Sequence, residues 1–386
     1  MKGVDFDVIV AGAGAGGAAA AYHLGRAGLK TLVVDKARLP RYKACGGAIP
    51  RATLERFPFA FDGVVEAAPS EARFLLGRLP AARFPLPDRP VVMVMRERFD
   101  AYLLAQAGAE ILAGQAVTSV DEREDRVEVR LGDRTLTARY LVGADGATSQ
   151  VARWLGLRDR RRLGGTLEAE VPLDGDGRLA DRYGRRAIFI MGAVPWGYAW
   201  VFPKGDHLSV GIGRLRPGRA DLRAALQREM DRLGISLDGV KAHGHPLPSY
   251  RARPWPFWRA RWQDRLATRR CLLVGDAANL VDPLLGEGIR YALESGRLAA
   301  EAITAGNLSS YDAAVWRNIG HSLATAGLVA QWYYRLPWLC FVLGLQNPDV
   351  IRQFVGILSD RFSYEGIGRR ILAATLLWVL RGFPAA

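Results

Sequence analysis

The stretch Val8-Ile9-Val10-Ala11-Gly12-Ala13-Gly14-Ala15-Gly16-Gly17, with Asp35 some 18 residues further on, decides how this chain folds. Val4–Ala11 reads as a buried strand, Ala15–Ala27 as a helix closed by Gly28, and Thr31–Asp35 as a second strand. In this βαβ unit the glycines fit G-x-G-x-x-G at Gly12, Gly14 and Gly17. The first permits a tight turn, the second lets the backbone approach a pyrophosphate, and the third lets helix and strand pack closely. The helix opening at Ala15 aims its N–H groups and positive dipole end at the phosphates. Asp35 is placed for ribose hydroxyls and would repel a 2′-phosphate, so the site suits FAD or NAD rather than NADP.

Two later strand ends favour a flavin. Leu141-Val142-Gly143-Ala144-Asp145-Gly146 is a strand ending in Asp-Gly. Leu272-Leu273-Val274-Gly275-Asp276 is a strand ending in Gly-Asp, followed by Pro283 and Gly286-Glu287-Gly288. Asp145 or Asp276 just beyond a strand can hold a ribityl hydroxyl. Gly146, Gly286 and the helix start at Gly288-Ile289 let backbone approach the ring edge where reduced flavin carries charge. Taken singly, either aspartate also reads as a helix cap.

Outward from these motifs the pattern changes. Leu167–Val171, Ala187–Met191, Tyr198–Phe202 and Leu208–Ile212 alternate as strands, and Ala220–Leu233 is an amphipathic helix. The expected fold is therefore α/β with an inserted antiparallel sheet (an α+β insert). The expected divisions are 1–157, with its continuation at 266–308, for the nucleotide domain; 158–265 for the sheet; and 309–386 for a helical tail rich in Trp, Tyr and Leu. Leu323–Leu345 is broken by Arg335 and Pro337, and Ile371–Leu380 is about half a span, so neither is expected to cross a membrane.

Three cysteines cannot form a disulfide framework, and no His/Cys spacing suggests a metal site. Reduced thiols fit a cytoplasmic protein. The net charge is +14, and only six of the 53 basic residues are lysine. Scattered arginine suits an anionic membrane surface or a phosphorylated substrate, and no module supports nucleic-acid binding. Tyr250–Arg265 interleaves arginines with Trp255, Phe257, Trp258 and Trp262, which reads as a lipid-headgroup surface, a mouth for a diphosphate, or a solvated loop.

Together the nucleotide elements resemble FAD-dependent oxidoreductases of the p-hydroxybenzoate hydroxylase fold, over roughly Asp7–Ile303. Arg96-x-x-Phe99-Asp100 matches that group's R-x-x-F-D element, which implies that Arg96 lies along the flavin and that backbone near Val117 meets the adenine. Lys43-Ala44-Cys45-Gly46-Gly47-Ala48-Ile49-Pro50 resembles the C-G-G segment of geranylgeranyl reductases. Pro195-Trp196-Gly197-Tyr198-Ala199-Trp200-Val201-Phe202-Pro203 resembles their P-x-x-Y-x-W-x-F-P signature. The pair is far more specific than the glycine loop.

The resemblance implies non-covalent FAD and a prenyl-chain substrate gripped by Tyr198, Trp200 and Phe202 with Gly46 and Gly47. A membrane-resident substrate, the charge of +14 and the aromatics and arginines of the C-terminal third lead to the expectation of a peripheral membrane location. An apolar chain must be held by apolar surface, at about 25 cal/mol per Å² buried. The three aromatics share a strand face by their period of two; they could equally be core. An isolated alkene accepts hydride poorly unless a proton arrives early. Cys45 is the obvious polar candidate for that proton, and an aromatic face such as Trp200 suits the cationic carbon. With no second G-x-G-x-x-G, the expected electron donor is NADPH docking transiently or a ferredoxin as partner protein. The rivals are an FAD-dependent monooxygenase or halogenase on the same fold, and a non-catalytic prenyl-lipid-binding flavoprotein.

Overall fold

The structure is a computed structural model that describes residues 3–157, 163–173, 175, 177–248, 250 and 265–381. The arginine- and tryptophan-rich segment 251–264 lies outside the described residues. The chain forms two compact units. One holds residues 1–43, 96–162 and 248–324; the other holds 44–95, 163–247 and 325–386.

The first unit is built on strand β1 (Phe6–Ala11), helix α1 (Ala15–Arg26) and strand β2 (Thr31–Asp35). β1 lies between β2 and the strand Arg134–Gly143, parallel to both. Cys271–Leu273 extends the sheet on the far side of Arg134–Gly143, again in parallel. Every residue of β2 and all but one of β1 are buried, as expected for parallel strands covered on both faces. Antiparallel strands Val127–Leu131 and Ser119–Glu122 complete one edge, and Glu110–Ala113 pairs with β2 at the other. α1 packs on the helix Ile289–Thr304 through small residues: a Cβ on Gly296 would come within 2.5 Å of Gly16 O.

The second unit carries a seven-stranded sheet in the order 242–247, 164–172, 207–214, 197–203, 186–191, 71–76, 82–85. The helix Leu222–Leu233 covers one face. There Ala199, Val201, Leu208, Val210 and Ile212 form a core with Leu226 and Met230. Asp221 caps this helix, accepting from Ala224 N–H at 3.0 Å.

The division differs from the sequence expectation. Residues 44–95 fall with the second unit because Glu71–Leu76 pairs in parallel with Arg186–Met191. That pairing joins segments more than 100 residues apart, which local periodicity does not report. Residues 309–324 join the first unit, where Tyr311 donates its hydroxyl to Leu273 O at 2.7 Å. Among the described residues no helix is long and apolar enough to cross a membrane.

Candidate functional site

In the first unit the chain itself requires two of the three motif glycines. Gly12 adopts φ +114°, and a Cβ there would lie 2.3 Å from Ala144 O. A Cβ on Gly17 would lie 1.9 Å from Gly12 O. Gly14 differs: a Cβ would meet only Arg41 Nη2 at 3.4 Å and Arg96 Nη2 at 3.9 Å. The chain does not need glycine at that point, whereas an approaching pyrophosphate does.

Charged groups gather around Gly14. Arg96 makes a two-pronged pair with Asp100, at 2.9 and 2.8 Å, and all but a sliver of it is buried. Arg41 Nη2 stands 3.6 Å from Asp100 and its Nε 3.8 Å from Asp35. Two guanidiniums beside a backbone-open glycine at a helix N-terminus suit a diphosphate. Arg41 carried no sequence signal, because it sits in an irregular segment and reaches the motif only in three dimensions.

Asp35 has a second task. Its Oδ2 accepts Ala13 N–H at 2.7 Å and its Oδ1 accepts Ala37 N–H at 2.9 Å. The carboxylate thus fastens the glycine turn to the end of β2, and each oxygen retains a lone pair for a ribose hydroxyl. Gln115 N–H donates to Asp35 O at 3.0 Å, which brings the segment leading to Val117 beside the same strand end.

The two later aspartates part company. Asp145 accepts from Ser149 Oγ at 2.5 Å and from Gln150 and Val151 N–H at 2.7 and 3.1 Å. These are the first N–H groups of the short helix Gln150–Trp154, whose N-cap is Ser149, so Asp145 assists that cap, in line with the capping alternative. Asp276 instead pairs with Lys43 Nζ at 3.5 Å and lies over Gly288, its Oδ1 3.4 Å from where a Cβ would stand. Gly286, at φ +69°, Gly288 and Ile289 follow at the start of the helix Ile289–Thr304. Asp282 shapes this approach: its Oδ1 accepts Leu284 and Leu285 N–H at 2.7 and 3.0 Å.

The second unit brings the remaining motif residues together. Tyr198, Trp200 and Phe202 lie in a row with ring centroids 6.2 Å apart at each step. They occupy the face opposite the helix-covered core, since Ala199 and Val201 supply that core. Phe189 and Phe74 extend the aromatic layer, stacked 4.8 Å apart. Gly211 lies opposite Trp200, and a Cβ there would come 2.2 Å from the indole. The sequence reading missed this glycine, although Gly211-Ile212-Gly213 offered a signal.

The C-G-G segment lies over this row. A Cβ on Gly46 would stand 2.9 Å from Phe202 and 3.2 Å from Trp200 Nε1. Gly47 has φ +70°, and a Cβ would stand 2.0 Å from Val94 O and 2.5 Å from Lys204 Nζ. Gly46 therefore serves the contact between loop and aromatics, and Gly47 the close packing of the loop on Val94 and Lys204. Gly47 N–H donates to Cys45 Sγ at 3.4 Å.

Lys204 and Glu168 were not foreseen. Lys204 is buried and donates to Gly46 O at 2.8 Å and Val94 O at 2.7 Å. Burial pushes its ammonium down to about 8, opposed by the nearby Cys45, Glu168, Glu66 and Glu170. Glu168, also buried, accepts from Ser209 Oγ at 2.8 Å, and Ser209 Oγ accepts from Trp200 Nε1 at 3.4 Å. A buried lysine and a buried glutamate so close to an aromatic row were the available signal: Lys204 directly follows the signature, and Glu168 interrupts an apolar strand.

Residues 5–305 match the FAD binding domain family. The chloroplastic geranylgeranyl diphosphate reductase of Oryza sativa subsp. japonica is 33% identical over 331 residues, 78% of this chain and 66% of that one. Menaquinone reductase of Mycolicibacterium smegmatis is 31% identical over 329 residues, 80% of this chain and 78% of that one. A geranylgeranyl bacteriochlorophyll reductase-like protein from Thermoplasma acidophilum superposes with a TM-score of 0.73 at 22% identity, covering 98% of this chain and 99% of that one. A flavin-dependent brominase superposes at 0.71 with 19% identity, covering 98% of each chain. These two structural likenesses show the fold alone.

Proposed function

This chain belongs to the FAD-dependent reductase family that contains the geranylgeranyl and menaquinone reductases, and from that premise we propose that it saturates isolated C=C bonds of a geranylgeranyl or other polyprenyl chain. The observation that carries this reading is the aromatic row Tyr198–Trp200–Phe202, placed on the sheet face away from the helix-packed core and covered by Gly46. Geranylgeranyl diphosphate and menaquinone both carry polyprenyl chains, and such a chain offers only apolar surface to bind.

FAD, once bound and reduced, would supply the hydride. Gly14, Arg41 and Arg96 would hold its diphosphate, and Asp35 a ribose. The rings of Trp200 and Phe202 grip the isoprenoid, and their faces stabilise the positive charge that grows on the tertiary carbon. Ser209 and Glu168 fix the indole edge, and Lys204 fixes the loop carbonyl. Cys45 Sγ gives its proton to the alkene carbon that does not receive hydride, and water restores the thiol. NADPH or a reduced ferredoxin would renew the electrons.

The test is mass spectrometry of prenyl lipids incubated with dithionite-reduced holoprotein. The expected product gains one H2 per saturated bond from a geranylgeranyl diphosphate, a glycerolipid or menaquinone. Substrates returned unchanged overturn the reading. Oxygen- or halide-containing products under air would establish a monooxygenase or halogenase, the reading that the brominase-like fold shares.

A further inference from the structure

Nine of the eleven large apolar side chains exposed among the described residues lie between positions 332 and 380, all within the second unit. All but Phe362 fall into two stripes. Trp332 and Leu336, with Trp338 just beyond, follow the end of the helix His321–Arg335 and the turn after it. Leu372, Leu376 and Leu380 repeat at four-residue spacing on the helix Ile367–Leu380. Exposure reaches 68% at Trp332, 61% at Leu372 and 82% at Leu380. Proteins in water rarely present such stripes without a partner.

The second helix is not a loose end. Ile367, Ala374 and Trp378 are buried beneath it, and Asn347 Nδ2 donates to Ala374 O at 3.3 Å. One face is seated on the protein while the leucine face points out. Fourteen residues make about 21 Å of helix, too short to cross a bilayer but suited to lying in its surface.

Charge selects the partner. Neither helix contains an acidic residue. Arg335 lies between Trp332 and Leu336, Arg369 and Arg370 open the leucine helix, and Arg381 follows it. Arginine lengths let the charge reach headgroups while leucines enter the acyl boundary, and indoles favour that same boundary. A second copy of this chain would bring the same arginines face to face on a protein of net charge +14, which disfavours self-docking.

We propose that the arginine-framed stripes of helices His321–Arg335 and Ile367–Leu380 form a docking surface for an anionic lipid bilayer. The surface does not depend on which bond the protein reduces, so its failure and the failure of the reductase reading are separable.

The experiment is co-sedimentation of the flavin-loaded full chain with vesicles of phosphatidylcholine alone or mixed with phosphatidylglycerol. The expected result is binding to the mixed vesicles that falls at least tenfold between low and high salt, since each arginine at an anionic leaflet contributes roughly fivefold and is screened. L376D/L377D should lose at least tenfold in partitioning while keeping its flavin and circular dichroism. Should that variant lose flavin or fold, W332S and W338S carry the test, with tryptophan quenching by brominated lipid as readout. Wild type left in the supernatant overturns the proposal, as does undiminished binding by the folded variants. A dimer that L376D/L377D dissolves, without vesicle binding, assigns the surface to a second copy and also overturns it.

Discussion

In the first unit a glycine turn is pinned by an anion: Asp35 takes Ala13 N–H and joins the Gly12–Gly17 turn to the end of β2. In the second unit a glycine turn is pinned by a cation: Lys204 donates to Gly46 O and Val94 O and holds the Cys45–Gly47 turn over the aromatic row. The first turn leaves the start of α1 open at Gly14 with two guanidiniums beside it, as a charged cofactor requires. The second meets its carbonyl from within the protein and presses Gly46 on Trp200 and Phe202, as befits an apolar chain. Similar backbone economy thus serves opposite solvation problems, and the sign of the buried group tells which.

The largest effects test whether the two turns are independent. Gly17→Ala places a methyl 1.9 Å from Gly12 O and should cost more than ~4 kcal/mol, with loss of bound FAD. Gly47→Ala places one 2.0 Å from Val94 O at φ +70° and should abolish alkene reduction while flavin is retained. Flavin content and single-turnover reduction, measured on both variants, decide this. Loss of flavin from Gly47→Ala would mean that the turns do not serve separate tasks.

The next test uses pH, because Lys204 in one unit and His23 in the other are each held below their ordinary pKa by burial. Lys204 is lowered from its ordinary 10.5 to about 8, so the unfolded chain binds the extra proton between those values. Its stabilising contribution is complete above 10.5 and is lost as pH falls through 8. Wild type should therefore gain about 3 kcal/mol on Lys204→Met between pH 8 and 10.5. His23, on α1, is lowered from 6.5 to about 4, mainly by burial and then by Arg297. Its contribution is complete above 6.5 and fades as pH falls through 4, so His23→Gln should narrow the acid sensitivity. Denaturant midpoints across pH check both. A flat difference curve for Lys204→Met would show that burial does not lower the pKa of this ammonium.

Asp35→Ala should weaken FAD by roughly 1–3 kcal/mol, through loss of charge-assisted hydrogen bonds to the ribose. Because the same carboxylate fastens the turn, the flavin-free protein should also lose stability, whereas Asp35→Asn should recover part of it. Titration calorimetry with FAD, beside melting of the flavin-free form, separates the two losses. An unchanged affinity would remove the ribose assignment.

The unequal legibility of the two sites has a physical basis. The βαβ turn is local: Gly12, Gly14, Gly17 and Asp35 fall within one short segment, and each spacing is imposed by strand and helix geometry. The aromatic row was legible for the same reason, through its period of two. The chain did not announce that Cys45–Gly47 would lie on Trp200 and Phe202, nor that residue 204 would close the loop, because those contacts span about 160 positions. Asp145 shows the converse, a carboxylate in a flavin-like position whose geometry is that of a helix cap. A single acid beyond a strand has two uses with one sequence signature, and only its partners distinguish them.

The smallest effect concerns Cys45. Serine preserves size and a polar hydrogen, but an alcohol is a far weaker acid than a thiol. Cys45→Ser should keep fold and FAD and slow alkene reduction by roughly tenfold, about 1.4 kcal/mol in the barrier. The contact to Gly47 N–H at 3.4 Å is a weak one that a hydroxyl can replace, so the loop should stay in place. The measurement is single-turnover oxidation of pre-reduced flavin by a geranylgeranyl lipid, with a solvent deuterium isotope effect. A proton donor changes that isotope effect on substitution, whereas a packing residue leaves it as in wild type. Matching rates and isotope effects would move the proton to Tyr198 or to water. The second turn would then contribute shape alone, and the contrast with the first would sharpen: one turn binds its ligand through charge, the other only through the rings that it covers.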